Sequence, residues 1–262
     1  MYQLDQHHHF NIENYSKQPT FSSFLPGVAG ESGLPIWAFY VNRGQGIASF
    51  GIQDKDHAIM EFLPADKSYQ LVQTQGFRTF IKIINGEDTI TIEPFAAHDT
   101  TGQTRMEIAE NMLSLHYHHP VHQFDLTINY FALPNTPVAG LVRDVTFTNL
   151  AEDTRQFEIL DGLPSIFPSG VENAAYKELG NTLKSWFDVK NLENNIPFYF
   201  LRGSTEDSAE VKSITQGNFY YSTVYQDGLE TIATPIIDKS LVFGTDTTLQ
   251  TAVPFNLSLI HI

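Results

Sequence analysis

The chain has 262 residues, no cysteine, and 30 acidic against 15 basic side chains, for a formal net charge of −15. The missing thiols exclude disulfides, thiolate metal sites and a cysteine nucleophile. The charge argues against nucleic acid or an anionic membrane as partner, since both are held by clustered Lys and Arg.

The N-terminal run MYQLDQHHHFNIENYSK has no basic segment followed by an apolar one, so it does not read as a secretory signal. Residues 1–20 are expected to form a lead-in, and His7 to His9 are assigned no function. No window approaches the ~18 consecutive apolar residues of a membrane span. With no cysteine to oxidise, the expected location is cytoplasmic.

Next comes FSSFLPGVAGESGLPIWAFYVNRGQGIASFG, residues 21–51. Trp37, Phe39 and Tyr40 stand directly before Asn42, Arg43, Gly44, Gln45 and Gly46. A buried strand entering a turn has this pattern. So does a sugar-binding surface, with rings for stacking and amide or guanidinium groups for hydroxyls. On the second reading, the candidate substrate contacts are Trp37, Tyr40, Asn42, Arg43 and Gln45. Ser22, Ser23 and Ser49 read as ordinary loop or strand residues. No G-x-S-x-G elbow, G-x-x-x-x-G-K-[ST] loop or G-x-G-x-x-G loop occurs.

Glycoside chemistry needs a carboxylic acid of raised pKa and a partner across the sugar ring. Asp54 with Asp56, Glu61 with Asp66, and Glu206, Asp207 and Glu210 are pairs on paper only. They read as loops and turns, and no catalytic acid is nominated.

From residue 77 onward alternation dominates. Phe77, Thr79, Ile81 and Ile83 share one face of a strand, Ile90 and Ile92 one face of the next, and Asn85-Gly86 between them signals a hairpin. Phe124, Leu126, Ile128 and Tyr130 alternate with Asp125, Thr127 and Asn129. Leu141, Val145 and Phe147 alternate with Thr146 and Thr148, and Phe157 and Ile159 continue the series. The run LHYHHPVH places His116 and His118 on one strand face and His119 on the other. A His-x-His pair of this kind begins many metal sites, with His98 or Glu93 as a third ligand, but spacing alone does not make a site. No metal or other cofactor is predicted.

Helical periodicity is weak throughout. Residues 171–193 are expected to hold a short turn or helix, and 209–214 are ambiguous. The closing NLSLIHI runs apolar to its end, and SLIHI resembles translated adapter sequence, so residues 251–262 are expected to be a truncated or non-native tail. The expected fold class is all-β: one large antiparallel β-sandwich over residues 21–250 with few short helices.

Three stretches carry a resemblance: the one at 21–51, KDHAIMEFLPADKSYQLVQTQGFRTFIK after it, and DGLPSIFPSGVENAAYKELGNTLKSWFDVKNLENNIPFYFLRGSTEDSAEV. Together they resemble the N-terminal region of glycoside hydrolase family ninety-four phosphorylases, which are related to cellobiose phosphorylase, and within that family the beta-1,2-oligoglucan phosphorylases. The resemblance covers Phe21 to beyond Val211. It implies a galactose-mutarotase-like β-sandwich placed before a separate (α/α)6 barrel. It also implies, for a full-length parent, phosphorolysis of a β-glucan oligosaccharide by inorganic phosphate with inversion, to α-glucose 1-phosphate. In such a reaction phosphate stands in for the water and base of an inverting hydrolase. The family's acid and phosphate ligands lie in the helical barrel, and no position here matches them. The chain by itself is therefore expected to be inert, with the helical domain as its partner. Two alternatives remain beside this: a free-standing carbohydrate-binding module, and a cupin-like metalloenzyme built on His116 and His118.

Overall fold

The computed structural model describes residues 2–86, 88–203 and 215–253. One layer of the molecule is a six-stranded antiparallel sheet. In spatial order its strands are Tyr2–Leu4, Phe10–Glu13, Gln103–Ile108, Leu113–His119, Phe124–Ala132 and Leu141–Asn149. The expected lead-in thus supplies two of these strands. The strict alternation at 124–132 gives one buried face of Phe124, Leu126, Ile128, Tyr130 and Ala132 and one half-exposed polar face, as period-two side chains on a pleated strand must.

Two smaller sheets oppose the buried face. One has the order Ser22–Leu25, Trp37–Val41, Ile47–Gly51, Ala58–Met60. The other has the order Gln156–Gly162, Arg78–Asn85, Asp88–Ile92. Ile12, Met106, Leu115 and Leu126 from the first layer meet Tyr40, Ile47, Phe50, Phe77 and Ile81 from the second in one core. Phe77 bridges it, stacked on Phe50 at 6.2 Å and tilted on Tyr130 at 5.7 Å. The molecule is an all-β antiparallel sandwich with a few short helices. The Asn85-Gly86 hairpin forms as expected: Asn85 pairs with Asp88, and Gly86 takes φ 64°, the left-handed conformation such tight turns require.

Strands 37–41 and 47–51 are buried on both faces, and a helix the periodicity did not reveal explains why. Ala65–Gln75 lays Ala65, Tyr69 and Val72 against Phe39, Val41 and Ala48 on the outer face of this sheet. Its apolar stripe is short and the rest of the helix is polar, so its period is faint. Gly76 ends it by donating to Val72 O at 3.0 Å.

Beyond residue 162 the packing thins. The helices Asn173–Leu179 and Asn181–Lys184 fall inside the expected 171–193 window. A satellite core of Phe167, Val171, Leu183 and Leu201 forms beside the three-stranded sheet Phe187–Lys190, Phe198–Leu201, Asn218–Phe219. The hairpin Thr223–Gln226/Leu229–Ile232 stands as a sheet of its own. Lys239–Phe243 and Ala252 close over Phe80, on the side of its strand away from the main core. Ala252 is thus packed although it falls in the stretch set aside as a tail. Residues 254–262 and the ambiguous 209–214 lie outside the described residues. Among the described residues no helix is long and apolar enough to cross a membrane.

Candidate functional site

The stretch from Trp37 to Gln45 is a strand running into a turn, and the turn is buried. A buried turn exposes backbone N–H and C=O groups that need partners, and the polar residues of this stretch supply them. Asn42, with no exposed surface, donates from Nδ2 to Tyr15 O at 3.0 Å and Pro19 O at 2.9 Å. Its Oδ1 accepts from Phe21 N at 3.0 Å. It therefore staples residues 15–21 to the turn. Arg43 donates to Asn42 O at 2.6 Å and Gln18 O at 3.2 Å, and Tyr15 Oη donates to Gly44 O. Gly46 takes φ 79°, and a Cβ there would press on Leu113 Cδ2 at 3.2 Å, so the turn sits against the opposite layer.

Gln45 reaches further. Its Oε1 accepts from Arg143 Nη2 at 2.7 Å and its Nε2 donates to Thr79 Oγ1 at 3.1 Å. Arg143 pairs bidentately with Asp161, at 2.6 Å and 3.1 Å, and donates to Tyr130 Oη. Its guanidinium lies over the rings of Phe77, at 5.0 Å, and Tyr130, at 5.4 Å. Burial opposes the charge on Arg143, but Asp161, Tyr130 and Tyr220 together outweigh burial and hold the side chain protonated. Nearby Tyr220 is pushed up to about 12 by burial and by the charge of Asp161. This network ties the turn, both small sheets and the large sheet together at one place.

Of the five candidate contacts, Tyr40, Asn42 and Gln45 are buried, at 5%, 0% and 3% exposure. The amides of Asn42 and Gln45 are spent inside the protein, so reading these three as substrate contacts does not fit their placement. Trp37 and Arg43 are half-exposed. Trp37 donates its indole N–H to Ile52 O and Asp54 O at 3.2 Å and 3.0 Å, and packs edge-on against Phe62. Between the turn and Arg78, Glu93 and Phe95 there is about 10 Å³ of space, enough for one water. A preformed aromatic cleft is not what this stretch builds.

His116 and His118 share the outer face of their strand, and His119 turns inward onto Phe124 at 5.3 Å, as alternation requires. His118 Nδ1 pairs with Asp125 Oδ1 at 2.7 Å, and His116 Nε2 stands 3.5 Å from Glu107 Oε2 without making a hydrogen bond. Neither nominated third ligand serves. Glu93 is gripped by Arg78 at 2.6 Å and 2.9 Å, and His98 is exposed in a turn. Among the described residues no group of three His, Asp or Glu side chains is placed to hold a metal.

The paper carboxylate pairs also resolve. Asp54 accepts from Asp56 N, and Asp56 accepts from Asn173 N at the start of a helix, at 2.9 Å each. Both are caps. Asp66 lies in the first turn of the helix 65–75. Glu61 lies in the loop expected, between Met60 and Ala65, but is half-buried: burial pushes its carboxyl up, with Lys177, Lys184 and Lys67 acting against that. Glu206, Asp207 and Glu210 lie outside the described residues.

The residue the sequence reading passed over is Arg143. It occupies an inward position between Leu141 and Val145, and a charge on the apolar face of an alternating strand is the available signal for a buried network.

No protein-family model matches the chain, and no curated protein matches it in sequence.

Proposed function

We propose that the chain is the non-catalytic β-sandwich part of an inverting glycoside phosphorylase that acts on β-glucan oligosaccharides in the cytoplasm. Its role is to dock a separate helical catalytic domain, with carbohydrate contact secondary and, within residues 37–45, falling to Trp37 and Arg43. The family resemblance over 21–211 motivates the reading, and an antiparallel sandwich is the architecture that resemblance calls for.

One observation carries the docking role. Tyr221, Tyr225, Leu229, Ile232 and Leu241 are exposed by 45–75%, all within the last fifth of the described chain. Large apolar side chains left exposed along one stretch of chain make that stretch the candidate interaction surface.

The test is phosphate release from α-glucose 1-phosphate with glucose or sophorose as acceptor. It is run on the chain alone and on the chain mixed with a family helical domain. Silence alone and activity on mixing fit a docking half. Turnover by the chain alone would place an unrecognised acid in the sandwich and overturn the reading.

A further inference from the structure

The outer face of the six-stranded sheet is polar across four strands, and the register lines its side chains into rows. Glu13 pairs with Arg105, Arg105 with His116, and His116 with Thr127. Two residues along, Gln103 pairs with His118 and His118 with Asp125. These two rows line an open cleft of about 260 Å³. That is below the roughly 300–1,000 Å³ of sites for drug-sized ligands, so the cleft holds one small ring rather than a chain.

The chemistry of the lining selects the ligand. An apolar molecule finds little to bury against, because Tyr117 is the only large ring there and its hydroxyl is committed to Asp99 Oδ2 at 2.5 Å. An anion meets Glu13 and Asp125, while Arg105 already donates to Asn11 at 2.8 Å and Glu107 at 3.2 Å. A metal lacks a set of three ligands. A cation meets the guanidinium of Arg105 and the imidazole of His118 in the same space.

What remains unspent is a mixed set of donors and acceptors. The side chains of Glu13 and Gln103 make no hydrogen bond among the described residues, and Asp125 and His118 use one atom each on one another and stay about two-fifths exposed. Hydroxyl groups both donate and accept, and neighbouring hydroxyls on one ring span such a grid.

We propose that this cleft binds a small polyhydroxylated molecule of the size of one sugar ring, held by Asp125, His118, Gln103 and Glu13. The inference stands on the cleft and does not draw on the phosphorylase reading, so either can fail without the other.

The test is an NMR titration of the full chain with glucose, glycerol, putrescine and inorganic phosphate in separate arms, following the His118 imidazole and the Thr127 amide. Saturating shifts with glucose in the millimolar range are expected. They should weaken at least several-fold in Asp125→Asn and in Gln103→Ala, and persist in Trp37→Ala. The dispersed amide spectrum of each variant reports its folding, and Gln103→Ala leaves the His118–Asp125 pair intact. Three results would each overturn the proposal: shifts that stay linear with glucose, saturation undiminished in both cleft variants, or saturation by putrescine or phosphate but not by glucose.

Discussion

Two hairpins in this molecule are built on opposite principles. The strands Trp37–Val41 and Ile47–Gly51 are packed on both faces, and their turn is held by groups far away in sequence, among them Tyr15 and, through Gln45, Arg143 at a separation of 98 positions. The strands Thr223–Gln226 and Leu229–Ile232 are half-exposed or exposed throughout. Their turn is local: Asp227 at φ 53° and Gly228 at φ 80° form the two-residue link that matches strand twist unaided. A two-stranded ribbon alone is marginally stable in water. The contrast separates a hairpin that organises the core from one whose apolar side chains are left for a partner.

The largest effect expected from breaking this contrast lies at Arg143. Arg143→Ala strands Asp161 and the Gln45 carbonyl in the interior, and removal of one member of a buried pair costs about 3–5 kcal/mol. Urea denaturation measures it. Next is Asn42→Ala, which leaves the carbonyls of Tyr15 and Pro19 and the N–H of Phe21 without their partner. The expected loss is about 2–3 kcal/mol by the same measurement, from the cost of unmet buried groups.

Acid gives a graded third test. Burial lowers the pKa of His116, helped by Arg105, and burial also lowers that of His119. As pH falls through about 6.5, the ordinary histidine value, the unfolded chain takes up protons that the folded chain resists, so stability declines. Burial raises the carboxyl of Asp99, but hydrogen bonds from Tyr117, Gly102 and Thr101 outweigh it and hold the pKa low. Its contribution is full above about 3.9 and is lost as pH falls through the depressed folded value. Thermal midpoints should therefore fall in two steps, near pH 6 and below about pH 4, and His116→Gln should shrink the first. The smallest effect belongs to the second hairpin: Tyr225→Ser or Leu229→Ser should change stability by no more than about 0.5 kcal/mol while weakening binding of a helical partner.

The sheets were legible where one face alone is buried. Phe124 to Ala132 and Leu141 to Asn149 alternate because each has a core side and an open side. The pattern failed at 37–41 and 47–51, where both faces are covered and neither is marked by polar residues in alternation. WAFYV and IASFG carry no period to read, and the helix that covers them lays only three apolar side chains, Ala65, Tyr69 and Val72, against them. The burial of Tyr40, Asn42 and Gln45 was not legible for a related reason. Amides following aromatic residues serve a buried turn and a sugar surface equally well, and only long-range partners such as Tyr15 and Arg143 tell them apart. At Asp54 the loop reading held because its cap is local, made to Asp56 N two residues on, whereas the cap Asp56 makes to Asn173 N lies 117 positions away and leaves no local signal. Glu61 is in a loop as read, but its partial burial was not legible, because the groups that act on it include Lys177 and Lys184, far along the chain.

The most direct test of the docking role is hydrogen–deuterium exchange on the chain alone and on the chain with a family helical domain. New protection across 219–241, with 37–51 unchanged because it is already protected, is the predicted result. Exchange unaltered everywhere at a saturating concentration of helical domain would contradict it.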